Sequence, residues 1–505
     1  MSDNFELILP APSATMESLT GFGYSLKTAI ADLVDNSITA MAKNIWITCH
    51  WDGHDSYIAI VDDGIGMSYQ ELVEAMRPGG KNPLDARGES DLGRFSLGLK
   101  TASWSQCRRL TVASSVKEGG DRNFLTWDLD YVCKHNEWRA IKDANIENIL
   151  LQLKVPEIGT TVLWENLTAP LYKEVVSSSY GKNEFNNAIE EVQTYLGMIF
   201  HRFLSGVAHS NKNKGPINIY VNSTLTKPWN PFEVSKKIAS QITPLEGIQY
   251  LGRSLNIKGY VLPHKDKLTE TEYKEGGGPN GWLAQQGFYI YRSERLLVAG
   301  DWLGLGRPRP WAKEEQYRLA RVSIEIPNSL DKEWELDVKK SKATPPPQIK
   351  NKLTDLAEKV REDAKKAFVY RGKYGSRPAG PLAVTQPAWE QTTRNGVIVY
   401  RINRNHPLVM GTRKKLGALS VDFDAALRVL EESVPVQKIW LDTAESDQNH
   451  AIPYEDLDGE LISDIQQTYK FLLNSMSRQS AIDLLRVTEP FNRYQDIIET
   501  AIDKL

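Results

Sequence analysis

Apolar residues return at Ile30, Leu33, Val34 and Ile38, the spacing of one helical face, and predict a helix over 25–41. Asp32 and Asn36 stand four apart within it and so share a face. The period then changes. Two runs rich in β-branched residues, 45–49 and 57–61, flank a short turn holding Gly53 and predict a hairpin. A helix follows over 69–76, and strands over 110–116, 123–129 and 160–165. Helical spacing resumes within 170–211, through Ala188, Val192, Tyr195, Leu196, Ile199 and Phe203. Strands are predicted again over 217–222, 257–262, 287–291 and 321–326. Pro345-Pro346-Pro347 ends that series. A helix over 348–370 then carries Ile349, Leu353, Leu356, Val360 and Phe368 on one stripe. Residues 372–387, rich in glycine and proline, read as a linker. Beyond it lie one strand-like piece at 396–401 and helices at 424–432, 461–476, 479–485 and 495–502.

Length and composition narrow the class. At 505 residues the chain exceeds one ordinary domain. Hydrophobic content of 41% and charged content of 25% are those of a soluble globular protein. A formal charge of −3 argues against nucleic-acid binding by the chain as a whole and leaves room for a local basic surface, such as the lysines along 350–366. Cys49, Cys107 and Cys133 have no metal-type spacing and read as reduced thiols of a cytoplasmic protein. Met1-Ser2-Asp3-Asn4 is not a basic region leading into an apolar run, so no signal peptide is expected. No apolar run approaches the roughly 20 residues that span a bilayer, and no membrane association is expected.

Four further stretches carry candidate chemistry. The second strand runs into Asp62-Asp63-Gly64-Ile65-Gly66-Met67, a carboxylate followed by glycines where backbone can approach a flat ligand. Arg77-Pro78-Gly79-Gly80-Lys81-Asn82-Pro83 and the polar residues to Asp91 predict a long loop, either a connector or a lid. Gly93-Arg94-Phe95-Ser96-Leu97-Gly98-Leu99-Lys100 then opens a helix whose first N–H groups suit phosphate, with Lys100 adding charge. Gly159-Thr160 starts a late strand, and its hydroxyl is either a base contact or simply a strand former.

These motifs in this order resemble the GHKL ATPases, which include gyrase B subunits, heat-shock chaperones, histidine kinases, MutL mismatch-repair proteins and MORC proteins. Ile30-Ala31-Asp32-Leu33-Val34-Asp35-Asn36, and Lys100 after the glycine motif, are similar to the MORC branch and its prokaryotic relatives. So are Lys227-Pro228-Trp229-Asn230-Pro231-Phe232 and Gly287-Phe288-Tyr289-Ile290-Tyr291-Arg292 with Arg295-Leu296-Leu297. The resemblance implies an α+β chain. A Bergerat-type ATP-binding α/β sandwich would occupy 1–168 and a βαβ-rich, S5-like transducer domain 169–347. A helix at 348–371, a linker at 372–387 and a mostly helical C-terminal domain at 388–505 would follow.

The same resemblance implies ATP and Mg²⁺ as ligands. Asn36 would hold Mg²⁺, a hard cation that keeps several waters and needs few protein oxygens. Asp32 would orient or deprotonate the attacking water. Asp62 would accept from the adenine amino group, with Gly64, Gly66, Met67 and Thr160 around the base. Gly93, Phe95, Ser96, Leu97, Gly98, Leu99 and Lys100 would surround the phosphates, with Lys81 a further candidate from the loop. Lys339 or Lys340 is expected to reach the γ-phosphate from the transducer. Aspartate stands at Asp32 where glutamate is usual, so hydrolysis is expected to be slow, or Asp35 shares the work. Ser96 replaces the second glycine of the phosphate motif, and Thr39 a common acidic residue. The expected function is an ATPase that dimerises on ATP and clamps or remodels DNA or a partner complex. The expected setting is a prokaryotic restriction–modification or anti-phage system with nuclease or methylase partners. A nucleotide-binding scaffold with negligible hydrolysis and a chaperone-like ATPase are the alternatives.

Overall fold

The computed structural model describes residues 10–21, 23–79, 98–117, 121–142, 146–153, 155–168, 179–208, 215–243, 247–336, 343–369, 386–394, 397–436 and 458–505. The chain divides into two units, 1–370 and 371–505.

The first unit opens with α1 (Pro12–Thr20) and α2 (Leu26–Thr39). Ser25 starts α2, its backbone N–H donating to Thr28 Oγ1 at 3.1 Å. Strands β1 (Asn44–His50) and β2 (Tyr57–Asp62) follow, then α3 (Tyr69–Met76), capped by a reciprocal Ser68–Glu71 pair. Next come α4 (Gly98–Trp104), β3 (Cys107–Ser115), β4 (Asn123–Asp128), α5 (Leu129–His135), α6 (Glu147–Gln152) and β5 (Gly159–Leu167). Then come α7 (Ser179–Ile199), α8 (His201–Leu204), β6 (Asn218–Val221) and β7 (Thr224–Leu225). The strands form one seven-stranded sheet in the order β4-β3-β5-β2-β1-β6-β7. Its neighbours are antiparallel except β1 and β6. The expected hairpin is β1 paired with β2. Elements beyond residue 168 also join this layer: β6 pairs along β1, and Val192, Leu196 and Ile199 of α7 share the core of α2.

The two faces of β2 explain the layers. Side chains alternate along a strand. Ile58 and Ile60 face the large core with α2, while Tyr57 and Ala59 face a smaller cluster with Ile146 and α6. Helix α2 is buried nearly all round, from Leu26 through Asp35, with Asn36 exposed. A helix so enclosed is held by packing more than by propensity.

The second half of the unit adds β8 (Gln241–Thr243), β9 (Ile248–Tyr250), β10 (Arg253–Val261), α9 (Glu270–Gly276), α10 (Gly281–Ala284), β11 (Gly287–Arg292), β12 (Arg295–Asp301) and β13 (Ala320–Ile326). They form a second sheet, β12-β11-β13-β10-β8, with β9 paired to β10. Helix α11 (Pro347–Val369) covers it, burying Ile349, Leu353, Leu356 and Val360 as the stripe predicts. Arg361 of the same helix stands 3.7 Å from the Tyr317 ring centroid and 4.4 Å from that of Trp311.

The second unit holds a hairpin of β14 (Trp389–Arg394) and β15 (Val397–Ile402), then α12 (Pro407–Leu416) and α13 (Ser420–Glu432). Helices at Asp458–Leu472, Arg478–Val487 and Gln495–Asp503 enclose its core around Ile465, Leu485, Phe491 and Ile498. The strand β14 (WEQTTR) is too polar to be read from sequence and exists by pairing with β15. Among the described residues no helix is long and apolar enough to cross a membrane.

Candidate nucleotide site

The alternation that points Ile58 and Ile60 toward α2 also points Asp62 there, at the end of β2. Asp62 pairs in register with Thr160 of β5, and Thr160 with Ser114 of β3. By the same alternation Thr160 precedes inward-facing Val162, and Ser114 follows Val112. Three polar side chains therefore form a row across three adjacent strands at one end of the sheet.

The row is tightly built. Ser37 Oγ of α2 donates to Asp62 Oδ2 at 2.8 Å, and the Gly64 amide donates to Oδ1 at 2.9 Å. Burial pushes the Asp62 carboxyl above its ordinary range, while bonds from Ser37, the Gly64 amide and the Thr160 amide pull it back. Ser114 Oγ lies 2.9 Å from Thr160 Oγ1 and accepts from the Met67 amide at 2.8 Å. Neighbouring Asp63 points elsewhere and caps the start of β1, accepting from the Lys43 and Asn44 amides at 2.8 Å each.

Two glycines allow this closeness. Gly159 has φ +135°, and a Cβ there would fall 1.9 Å from the Asp62 carbonyl oxygen. Gly66 has φ +68°, and its Cβ would fall 1.9 Å from the Ser115 carbonyl oxygen. Both are positions where side chains are excluded by backbone rather than by choice.

Asp32 lies one turn before Asn36 on α2 and is 4% exposed. Its Oδ2 accepts from Tyr24 Oη at 2.9 Å. The start of α4 sits beside it, since a Cβ on Gly98 would lie 3.7 Å from Asp32 Oδ2. Asn36 opens to solvent at the same end of the helix. Asp35, the alternative expected to share hydrolysis, is 1% exposed and accepts from Arg295 Nε at 2.8 Å.

Lys100, expected near the phosphates, is held at the end of α3 in this structure. It is 3% exposed, and its Nζ donates to the carbonyls of Ala75 at 2.8 Å and Arg77 at 3.0 Å. A cation at the end of α3 meets the negative pole and the unpaired carbonyls of that helix. Burial lowers its pKa from 10.5 to about 8, with Glu74 acting in the other direction. Leu99, next to it, packs against the large core. Lys81, Gly93, Phe95, Ser96 and Leu97, and likewise Lys339 and Lys340, lie outside the described residues.

The structure thus gathers Asp32, Asn36, Asp62, Gly64, Gly66, Met67, Gly98 and Thr160 around one end of α2 and the sheet. It adds Tyr24, Ser37 and Ser114, which sequence reading missed. Ser114 could have been found as a polar residue at an inward position of a strand; Tyr24 carries no local signal. A carboxylate offers about four acceptor directions. Three are taken at Asp62, so its chemistry fits one further donor such as an exocyclic amine. An exposed amide oxygen at Asn36 fits a hard cation that retains water.

Residues 24–160 match a family model described as histidine kinase-, DNA gyrase B-, and HSP90-like ATPase. The matched span begins at Tyr24, which holds Asp32, and ends at Thr160, in register with Asp62. No curated protein matches the chain. The mixed α/β layers and the match support a GHKL-superfamily ATPase domain over residues 24–160.

Proposed function

We propose that this chain binds ATP at the end of α2 and hydrolyses it slowly. The observation that carries the reading is the Asp62–Thr160–Ser114 row facing the turn of α2 that holds Asp32 and Asn36. Asp62 accepts from the adenine amino group, and Thr160 bonds the ring edge directly or through water. Gly64 and Gly66 bring backbone to the base beside Met67. Asn36 holds Mg²⁺, which would neutralise phosphate charge when bound. Asp32 orients the attacking water and takes its proton, and Tyr24 fixes that carboxylate. Gly98 and the residues before it face the phosphates, and Lys100 is available to them once it leaves the α3 carbonyls. Lys339 or Lys340 approaches the γ-phosphate from the second half of the unit.

The motif resemblance extends the proposal to a MORC-like protein that dimerises on ATP and clamps or remodels DNA or a partner complex. A prokaryotic defence setting with nuclease or methylase partners follows from that resemblance alone. Asp32→Asn and Asn36→Ala test the site. ATP turnover unchanged in both variants overturns the roles given to them. A second reading, a nucleotide-binding scaffold with negligible hydrolysis, is favoured by the short, buried Asp32 side chain already bonded to Tyr24. Single-turnover hydrolysis separates the two. Chromatography with a non-hydrolysable ATP analogue tests dimerisation, and a monomer at saturating analogue refutes it.

A further inference from the structure

Helix α2 carries three acidic or amide groups on one face: Asp32, Asp35 and Asn36, at i, i+3 and i+4. The middle one is bound from outside the matched domain. Arg295 begins β12, the edge strand of the second sheet, 260 residues away in sequence. Its Nε donates to Asp35 Oδ1 at 2.8 Å, and both side chains are 1% exposed. The guanidinium stands 5.6 Å from the Phe200 ring centroid, and the next residue, Leu296, packs into the core shared with α2. Burial works against the Arg295 charge, and the fields of Asp35, Tyr195 and Asp32 outweigh it, so its pKa is raised.

Stability alone does not explain such a pair. Two well-packed apolar residues often replace a buried ion pair without loss. What they lack is direction. A guanidinium fixed by its strand and bonded to Asp35 sets the rotation of α2 about its axis, and that rotation decides where Asp32 and Asn36 point. We propose that Arg295 is a positioning residue for the nucleotide site, tying the turn of α2 that bears Asp32 and Asn36 to the second sheet. This rests on the ATP-site reading above. It makes the second sheet a participant in Mg²⁺ binding and water activation, with no contact to nucleotide.

Full-length Asp35→Asn, Arg295→Met, Arg295→Lys and the double variant Asp35→Asn/Arg295→Met test it. ATP affinity is measured with Mg²⁺ and with EDTA, together with turnover and melting temperature. In Asp35→Asn and Arg295→Met the affinity gained from Mg²⁺ is expected to fall at least fivefold and turnover at least tenfold. ATP affinity in EDTA, set at the Asp62 end, is expected to change less than threefold. Arg295→Lys, which keeps the charge, is expected to recover part of the Mg²⁺ effect. The double variant leaves no unpaired buried charge and reads the same quantities if Arg295→Met does not fold. Mg²⁺ dependence and turnover within twofold of wild type in the folded variants overturn the proposal. So does an equal loss with and without Mg²⁺, which marks a merely structural pair. A wild-type chain that binds no ATP overturns the site reading itself, and the proposal with it, before any variant is made.

Discussion

Lys100→Met gives a prediction whose size follows from the structure. The Lys100 ammonium is 3% exposed and bonded to two carbonyls at the end of α3. Burial lowers its pKa from 10.5 to about 8. The folded value lies below the unfolded one. Between about pH 8 and 10.5 the unfolded chain therefore holds a proton that the folded chain has released, and stability rises with pH across that window. At about 1.4 kcal/mol per pH unit, the full gain is about 3 kcal/mol. Below pH 8 the buried charge is carried at full cost, offset by its two charge-assisted bonds at about 1.5–3 kcal/mol each. Methionine has similar length and no proton to lose. Urea unfolding of wild type and variant from pH 7.5 to 10.5 should give curves that diverge by about 3 kcal/mol, wild type gaining, while other titrating groups cancel in the difference. A difference constant to within about 0.5 kcal/mol refutes the burial argument. The same experiment with ATP reports on the phosphate role. An ammonium drawn to phosphate has its pKa restored, and the divergence disappears.

Other positions give sharper, local outcomes. Gly159→Ala places a Cβ where the Asp62 carbonyl oxygen stands, 1.9 Å away, at φ +135°. It should cost at least about 2 kcal/mol in denaturation and weaken ATP binding with it, because β5 must move away from Asp62. Ser114→Ala removes the acceptor of the Met67 amide and the partner of Thr160; a loss of about 1–2 kcal/mol is expected, with ATP affinity several-fold weaker by calorimetry. Asp32→Asn should lower single-turnover hydrolysis by about 10²-fold or more while ATP affinity stays within a few-fold, and equal hydrolysis removes Asp32 from the chemistry.

Local periodicity made much of the first layer legible. Helix α2, the β1–β2 hairpin and the strand ending at Asp62 all follow from spacing that packing then reinforces. The chain order of Asp32, Asn36, Asp62 and Thr160 pointed to one site through its resemblance to the GHKL motifs, with Asp62 and Thr160 at strand ends. What stayed hidden depends on register and distance. Ser114 matters only because β3 pairs with β5 so that it meets Thr160. Lys100 donates to carbonyls of Ala75 and Arg77, a tertiary contact that its own sequence does not encode. Strand β6 lies parallel to β1, a pairing between residues more than 170 apart that no local pattern announces. Arg295 reads as an ordinary strand residue until β12 brings it to Asp35.

Calorimetric titration of the full chain with Mg²⁺·ATP decides whether the Asp62 row recognises adenine, with GTP and Asp62→Ala as comparisons and melting temperature as the folding control. Saturable binding at one ATP per chain is expected, within the roughly 1 μM–1 mM range common for enzyme substrates. The loss of a charge-assisted bond at Asp62, about 1.5–3 kcal/mol, should weaken ATP by roughly 10–100-fold in folded Asp62→Ala. GTP, which lacks the amino group that Asp62 accepts from, should bind correspondingly worse than ATP. No heat of binding at several times the upper end of that range, or equal affinity for ATP in wild type and folded Asp62→Ala, contradicts the assignment of this row as the base-recognition end of a nucleotide site.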